Sequence, residues 1–284
     1  MPKEKIRLNL IRKLGTGFRE LIGDLLREAP FRTMVKRIVA VSPVSIRTKS
    51  LWDAVGRPNY LFGLLRAADE AILENVSEIS AIEFGVANGN GLLILANHAA
   101  AVEKETGVKI KVFGFDTGGG YPPFGGDYRD QPDIQGPGYF PMDEVALRKK
   151  LRSNTTLIIG DVAKTVPEFI SNRNNPAIGF IAVDICLYTA AREALKILSS
   201  PERRMLLKIP MFFRNIAGFH WHSFAGERLA ISEFNKENFG VKIEQWHGVS
   251  YGRPFPEAHW LDRMYVAHNL EAISKVPNVL ARVH

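Results

Sequence analysis

At 284 residues, with 46% hydrophobic and 24% charged side chains, the chain has a globular composition and enough apolar material for a large core. No apolar run approaches the roughly 20 residues of a membrane-spanning helix, and a single cysteine, Cys186, excludes an intrachain disulfide and points to a reducing, cytoplasmic setting. The net charge of +7 sits at one end: residues 1–50 hold twelve Lys/Arg and four Asp/Glu, net +8, leaving −1 for the rest, so basicity does not imply a nucleic-acid partner for the main domain.

Residues 1–58 are expected to form a basic helical extension, broken near Ala29-Pro30 and again around Ser42-Pro43. Leu10, Leu14, Phe18, Leu21, Ile22 and Leu25 fall at helical spacing with Arg12, Arg19 and Arg27 among them. That stripe suits packing on the main domain or on a second copy in a homo-oligomer. Contact with an anionic membrane surface is the less favoured alternative.

The main domain, residues 59–284, alternates helical and strand patterns. A helix from Tyr60 to Asn75 presents Leu61, Leu64, Leu65, Ala68 and Ile72 on one face. Strands are expected at Ile79–Phe84, Lys109–Phe115, Thr155–Gly160, Ile178–Asp184 and Arg204–Ile209, followed by a closing antiparallel pair at Val241–Trp246 and Met264–Ala267. The intervening helices are Leu92–Glu105, Asp143–Arg152, Thr165–Ser171, Thr189–Ser199 and Gly226–Asn238. This order predicts an α/β fold: a doubly wound, seven-stranded, mostly parallel Rossmann-like sheet with one antiparallel edge strand. Thr117 to Met142 departs from the alternation, being rich in Gly and Pro with Tyr121, Phe124, Tyr128, Tyr139 and Phe140 between them. Following the second strand, it is placed above the carboxyl edge of the sheet and reads as a lid or substrate wall. A subunit contact is the other reading.

Ligand chemistry concentrates where the first two strands end. Glu83-Phe84-Gly85-Val86-Ala87-Asn88-Gly89-Asn90-Gly91 is an acid followed by a glycine turn and a helix start, and Phe115-Asp116-Thr117 ends the second strand on another acid. Asp116 is suited to a ribose diol, and Glu83 to an ammonium or hydroxyl. An acid before the glycines disfavours a pyrophosphate and favours a cation. The spacing is not the Gly-x-Gly-x-x-Gly of dinucleotide sites, and no Tyr-x-x-x-Lys pair or phosphate-loop Lys follows it.

The order Glu-x-Gly-x-x-x-Gly-x-Gly resembles the first motif of class I S-adenosylmethionine-dependent methyltransferases. Other stretches resemble the macrocin O-methyltransferase-type family, which methylates sugar hydroxyls: Val112–Thr117 with Gly120-Tyr121-Pro122, Gly160-Asp161-Val162, Ile181–Thr189, and Gly226–Ala230 with Glu233-Phe234. The resemblance implies that Gly85, Gly89 and Gly91 line S-adenosylmethionine, with Glu83 near its amino-acid end. Asp116 and Thr117 would stand at the ribose, and Asp161 and Val162 at the adenine edge. It also implies a divalent metal held by the equivalent of Asp184 and adjacent aspartates after the fifth strand. Here Cys186 replaces one acid, and Lys208–Phe213, read as following the fifth strand, contains none. Asp184 alone cannot supply the oxygen set of a hard cation, so the metal is doubtful. Asp184, His220 and His222 are the candidates beside the acceptor, a histidine serving as general base.

The reading is an S-adenosylmethionine-dependent O-methyltransferase acting on a small hydroxylated molecule, a sugar or glycosylated metabolite. Its rival is a cofactor-binding protein without methyl transfer. Nucleic-acid methylation is weaker, since the base-methylation signature Asn/Asp-Pro-Pro-Tyr is absent.

Overall fold

The computed structural model describes residues 30–123, 125–134, 136–200 and 204–276. The stripe expected over Leu10 to Leu25 lies outside them. The chain divides into two units, residues 1–58 with 250–258, and residues 59–249 with 259–284. No helix among the described residues is long and apolar enough to cross a membrane.

In the first unit, α1 (Phe31–Val41) and α2 (Ile46–Leu51) meet at a turn where Ser45 Oγ accepts the Thr48 N–H and caps α2. Arg253 Nη2 donates to Asp53 Oδ1 and to the Ser50 carbonyl, at 2.8 and 2.7 Å. All three residues are buried, so each charge is held by hydrogen bonds rather than by water. Trp52 meets Phe255 edge-on, and Arg32 and Lys36 lie over the same ring.

The second unit opens with α3, whose range Pro58–Leu73 begins at the boundary residue. Leu61, Leu64, Leu65, Ala68 and Ala71 are buried, whereas Ile72 is 48% exposed. The helix is rotated slightly from the expected face, because Ala71 rather than Ile72 completes the buried stripe. Then follow β1 (Glu78–Phe84), α4 (Asn90–Thr106), β2 (Lys109–Asp116), α5 (Glu144–Arg148), β3 (Thr155–Ile159), α6 (Val162–Ser171), β4 (Ala177–Val183), α7 (Tyr188–Leu195), β5 (Lys208–Phe213), α8 (Gly226–Glu237), β6 (Val241–Gln245), β7 (Met264–Asn269) and α9 (Leu270–Ile273). The seven strands form one sheet in the order β3-β2-β1-β4-β5-β7-β6.

β3, β2, β1, β4 and β5 are parallel neighbours, and β7 runs antiparallel to both β5 and β6. The antiparallel edge is therefore β5-β7-β6, with the reversed strand one place inside the rim. Aromatic side chains fill the interior: Phe84 and Phe115 lie 4.8 Å apart, and Tyr60 sits edge-on to Phe180 and Phe212. The sheet grows to one side through β2 and β3 and to the other through β4 and β5. β1 and β4 thus flank the switch point, where ligands bind in open α/β sheets.

One strand differs from expectation. The fifth strand is Lys208–Phe213, not Arg204–Ile209; the earlier residues keep only a bridge, Met205 beside Ile178. Pro210 lies inside the strand. It is tolerated because the pairing with β4 begins one residue later, at Met211, so the missing N–H falls outside that ladder.

Candidate functional site

The glycine turn after β1 is organised by contacts within the protein. Gly85 has φ +85, and a Cβ there would lie 2.3 Å from the Asp184 carbonyl oxygen, so glycine is required for β1 and β4 to close at the switch point. Gly89, at φ +84, is covered by Leu147 of α5, whose side chain would meet an added Cβ at 2.2 Å. Both glycines therefore serve chain-on-chain approach. Gly91 is buried in the first turn of α4. Between them Ala87 is left-handed, with φ 47.

This strained turn is held by Asp116. Its Oδ2 accepts the N–H groups of Val86 and Ala87 at 2.9 and 2.8 Å, and its Oδ1 accepts Gly118 N–H at 2.7 Å. The carboxylate at the end of β2 therefore reaches across to the turn after β1. Thr117 is exposed and donates its hydroxyl to the Gly120 carbonyl. Glu83 is 1% exposed, and its Oε1 accepts the hydroxyl of fully buried Tyr60 at 2.6 Å. Glu83, read from the sequence as suited to an ammonium or a hydroxyl, thus takes one hydroxyl from within the fold.

At the end of β3, Asp161 caps α6 by accepting Ala163 N–H at 2.9 Å, and Val162 is buried in the first turn. The helix starts three residues before the expected Thr165 because Asp161 provides this cap.

At the end of β4, Asp184 Oδ1 forms an ion pair with Arg214 Nε at 3.3 Å. Arg214 directly follows β5, and its N–H donates to the Val183 carbonyl at 2.9 Å, tying its backbone to β4. Behind this pair lies Glu227, in the first turn of α8 and 0% exposed. Its Oε2 accepts Asn215 N–H at 2.8 Å and its Oε1 accepts Asn215 Nδ2 at 3.3 Å. Burial raises the Glu227 pKa well above the carboxyl range, reinforced by the Asp184 charge and opposed by the Asn215 N–H. In the first turn of α7, buried Asp130 accepts the Thr189 N–H at 2.8 Å.

Residues 117–142 dock on the same edge. The loop closes on itself where Met142 N–H donates to the Gly118 carbonyl and where Tyr121 exchanges bonds with Gly138 and Tyr139. Tyr121 donates its hydroxyl to Cys186 Sγ at 3.0 Å, and Arg129 lies 4.5 Å over the Tyr188 ring. Burial pushes the Cys186 thiol up to about 12, so it stays protonated, and burial raises Tyr121 as well. Gln131 Nε2 donates to the His220 carbonyl at 2.8 Å, joining this loop to the one after β5. His220 and His222 are both exposed there, and His222 Nδ1 accepts Phe224 N–H at 3.3 Å.

The fold thus gathers Glu83, Asp116, Asp161 and Asp184 at neighbouring strand ends, with the histidines on an outer loop. Sequence reading missed Arg214, Tyr60 and Asp130 and gave Glu227 no site role. The glycine turn signalled none of them. A correct end for β5 would have exposed Arg214-Asn215 as the pair following that strand.

The donor set does not fit the metal implied by the resemblance. Asp184 already faces a cation, Cys186 offers soft sulfur to a hard cation that takes oxygen ligands, and Glu227 is sealed behind Asn215. Among the described residues, no three His, Cys, Asp or Glu side chains converge as a metal would need.

No protein-family model matches the chain, and comparison with curated proteins finds no relative. Solved structures do match. The chain is similar to the calicheamicin methyltransferase CalS11, at 18% identity and TM-score 0.50, over 85% of this chain and 93% of that one. It is similar to the O-methyltransferase NovP at 13% identity and TM-score 0.50, over 84% and 97%. The chain therefore has the Rossmann-like fold of class I S-adenosylmethionine-dependent methyltransferases. The likeness to these two methyltransferases is one of fold.

Proposed function

We propose that the protein is an S-adenosylmethionine-dependent O-methyltransferase acting on a hydroxyl of a small molecule, a sugar or glycosylated metabolite. The observation that carries this reading is the Asp116 carboxylate at the end of β2, beside the switch point, holding the glycine turn through Val86 and Ala87 while only half-buried. Carboxyl groups at neighbouring strand ends make a negative edge that suits a cationic sulfonium. When bound, S-adenosylmethionine supplies an electrophilic methyl group.

In this reading Gly85, Gly89 and Gly91 carry the backbone that the methionine portion lies against, with the Glu83 carboxyl beneath. Asp116 and Thr117 face the ribose, and Asp161 with Val162 the adenine edge. Asp116 Oδ1 accepts one backbone N–H and keeps acceptor capacity for a ribose hydroxyl, whereas Oδ2 already accepts two. Asp184 takes the acceptor's proton, and His220 or His222 passes it to solvent. The docked 117–142 loop forms the acceptor's wall. The protonated Cys186 thiol suits a reducing cytoplasm.

Calorimetric titration with S-adenosylmethionine, S-adenosylhomocysteine and NAD tests this. Both sulfur compounds should bind, and Asp116→Asn should weaken them about tenfold or more, ~1.4 kcal/mol. Binding of NAD instead, or of none, sinks the reading.

A further inference from the structure

The corrected end of β5 changes what occupies the position where the resembled family places adjacent aspartates. After Phe213 the chain reads Arg214-Asn215. A cation stands there in place of an anion, and it is not a solvated surface charge aimed away from the site. Its backbone is bound to Val183, its side chain is 50% exposed, and its Nε is 3.3 Å from the Asp184 carboxylate, itself 20% exposed. The next residue is fixed by a different acid: Asn215 donates both its N–H and its amide to Glu227. Glu227 therefore holds the chain just beyond Arg214, which limits where the guanidinium can go.

We propose that the Arg214 guanidinium stands in for a divalent cation beside Asp184, binding the acceptor oxygen that Asp184 deprotonates. This rests on the methyltransferase reading above. Arginine is suited to the task because its charge persists at any working pH and its donors lie in a rigid plane. The Nε edge meets Asp184, and the Nη groups carry the remaining donors. As the acceptor oxygen's lone pair forms the new C–O bond, the S–C bonding pair stays on sulfur and the hydroxyl proton passes to Asp184. A fixed cation lowers the energy of the negative charge on the oxygen as that proton leaves. The same cation repels a metal ion from Asp184, since like charges a few ångströms apart in a partly buried site interact strongly.

The test compares wild type, Arg214→Met, Arg214→Lys and Asp184→Asn. Arg214 is half-exposed and its backbone bond to Val183 survives any side-chain change, so the variants are expected to fold. Mn²⁺ binding is followed by electron paramagnetic resonance on the full chain without methyl donor. Arg214→Met should bind Mn²⁺ about tenfold or more tightly than wild type, and Arg214→Lys should stay close to wild type. Equal or weaker binding by Arg214→Met overturns the proposal. So does tight binding by wild type that Asp184→Asn abolishes. Turnover on a panel of hydroxylated sugars is the second readout. Wild type should resist EDTA, while Arg214→Met loses kcat about tenfold or more with an unchanged KM for S-adenosylmethionine. Loss of wild-type turnover in EDTA, restored by Mg²⁺, also overturns it. The Mn²⁺ comparison decides the Arg214 assignment alone, and S-adenosylmethionine calorimetry on the same samples decides the reading beneath it.

Discussion

Tyr60 and Glu83 form a closed unit beneath the glycine turn, linking the first helix of the main unit to the end of its central strand. The bond is 2.6 Å, and neither residue is more than 1% exposed. Removing the hydroxyl leaves a buried carboxyl one donor short, which costs about 1–3 kcal/mol. Tyr60→Phe should therefore lower the unfolding free energy from urea titration by that amount while leaving the far-ultraviolet circular dichroism unchanged; an unchanged free energy would mean the bond contributes nothing net. Asp116 belongs to the same scale but does a different job. It satisfies backbone donors in a turn whose Ala87 sits at positive φ, so its loss loosens the turn before any ligand arrives.

Among the elements, the described part of the 117–142 loop is attached to its neighbours by a few side chains. Asp130 caps α7 from outside that helix, accepting both the Thr189 N–H and its hydroxyl. Arg129 over Tyr188, and Tyr188 donating to Glu233, extend the same attachment towards α8. Asp130→Ala should cost about 1–2 kcal/mol, the usual worth of an N-cap. It should also speed limited proteolysis within 117–142 more than elsewhere. Uniform protection would show that Tyr121 on Cys186 and Gln131 on His220 suffice to hold the loop.

Across the whole molecule, buried carboxyls make stability depend on pH. Glu74, near the end of α3, accepts Leu207 N–H at 2.7 Å, and burial raises its pKa from 4.5 to about 7. Between those values the unfolded chain ionises while the folded chain keeps its proton. Glu74 thus contributes stability fully below pH about 4.5 and loses it as pH rises through about 7. Glu227 is shifted in the same direction. Glu74→Gln keeps an acceptor for Leu207 without the charge. In denaturation series it should match wild type near pH 4 and become the more stable protein above pH 7; parallel curves would show that Glu74 does not titrate within the fold.

The sequence alone determined the fold class and which strand ends carry acids. Alternating apolar strands and helices are local patterns, and the acid–glycine turn with Asp116 at the next strand end is legible wherever such strands lie side by side. What only the tertiary structure decided is which charges face each other at that edge. The end of β5 lies beyond Pro210, because whether a proline interrupts a strand depends on which neighbour asks for its N–H. Glu227 looks like a helix-start acid until Asn215 closes over it, and Arg214 has no assignable role until β4 and β5 lie together. Burial and ion pairing are properties of surroundings, and the residues that meet at Asp184 come from separate stretches of chain that only the folded sheet brings within reach.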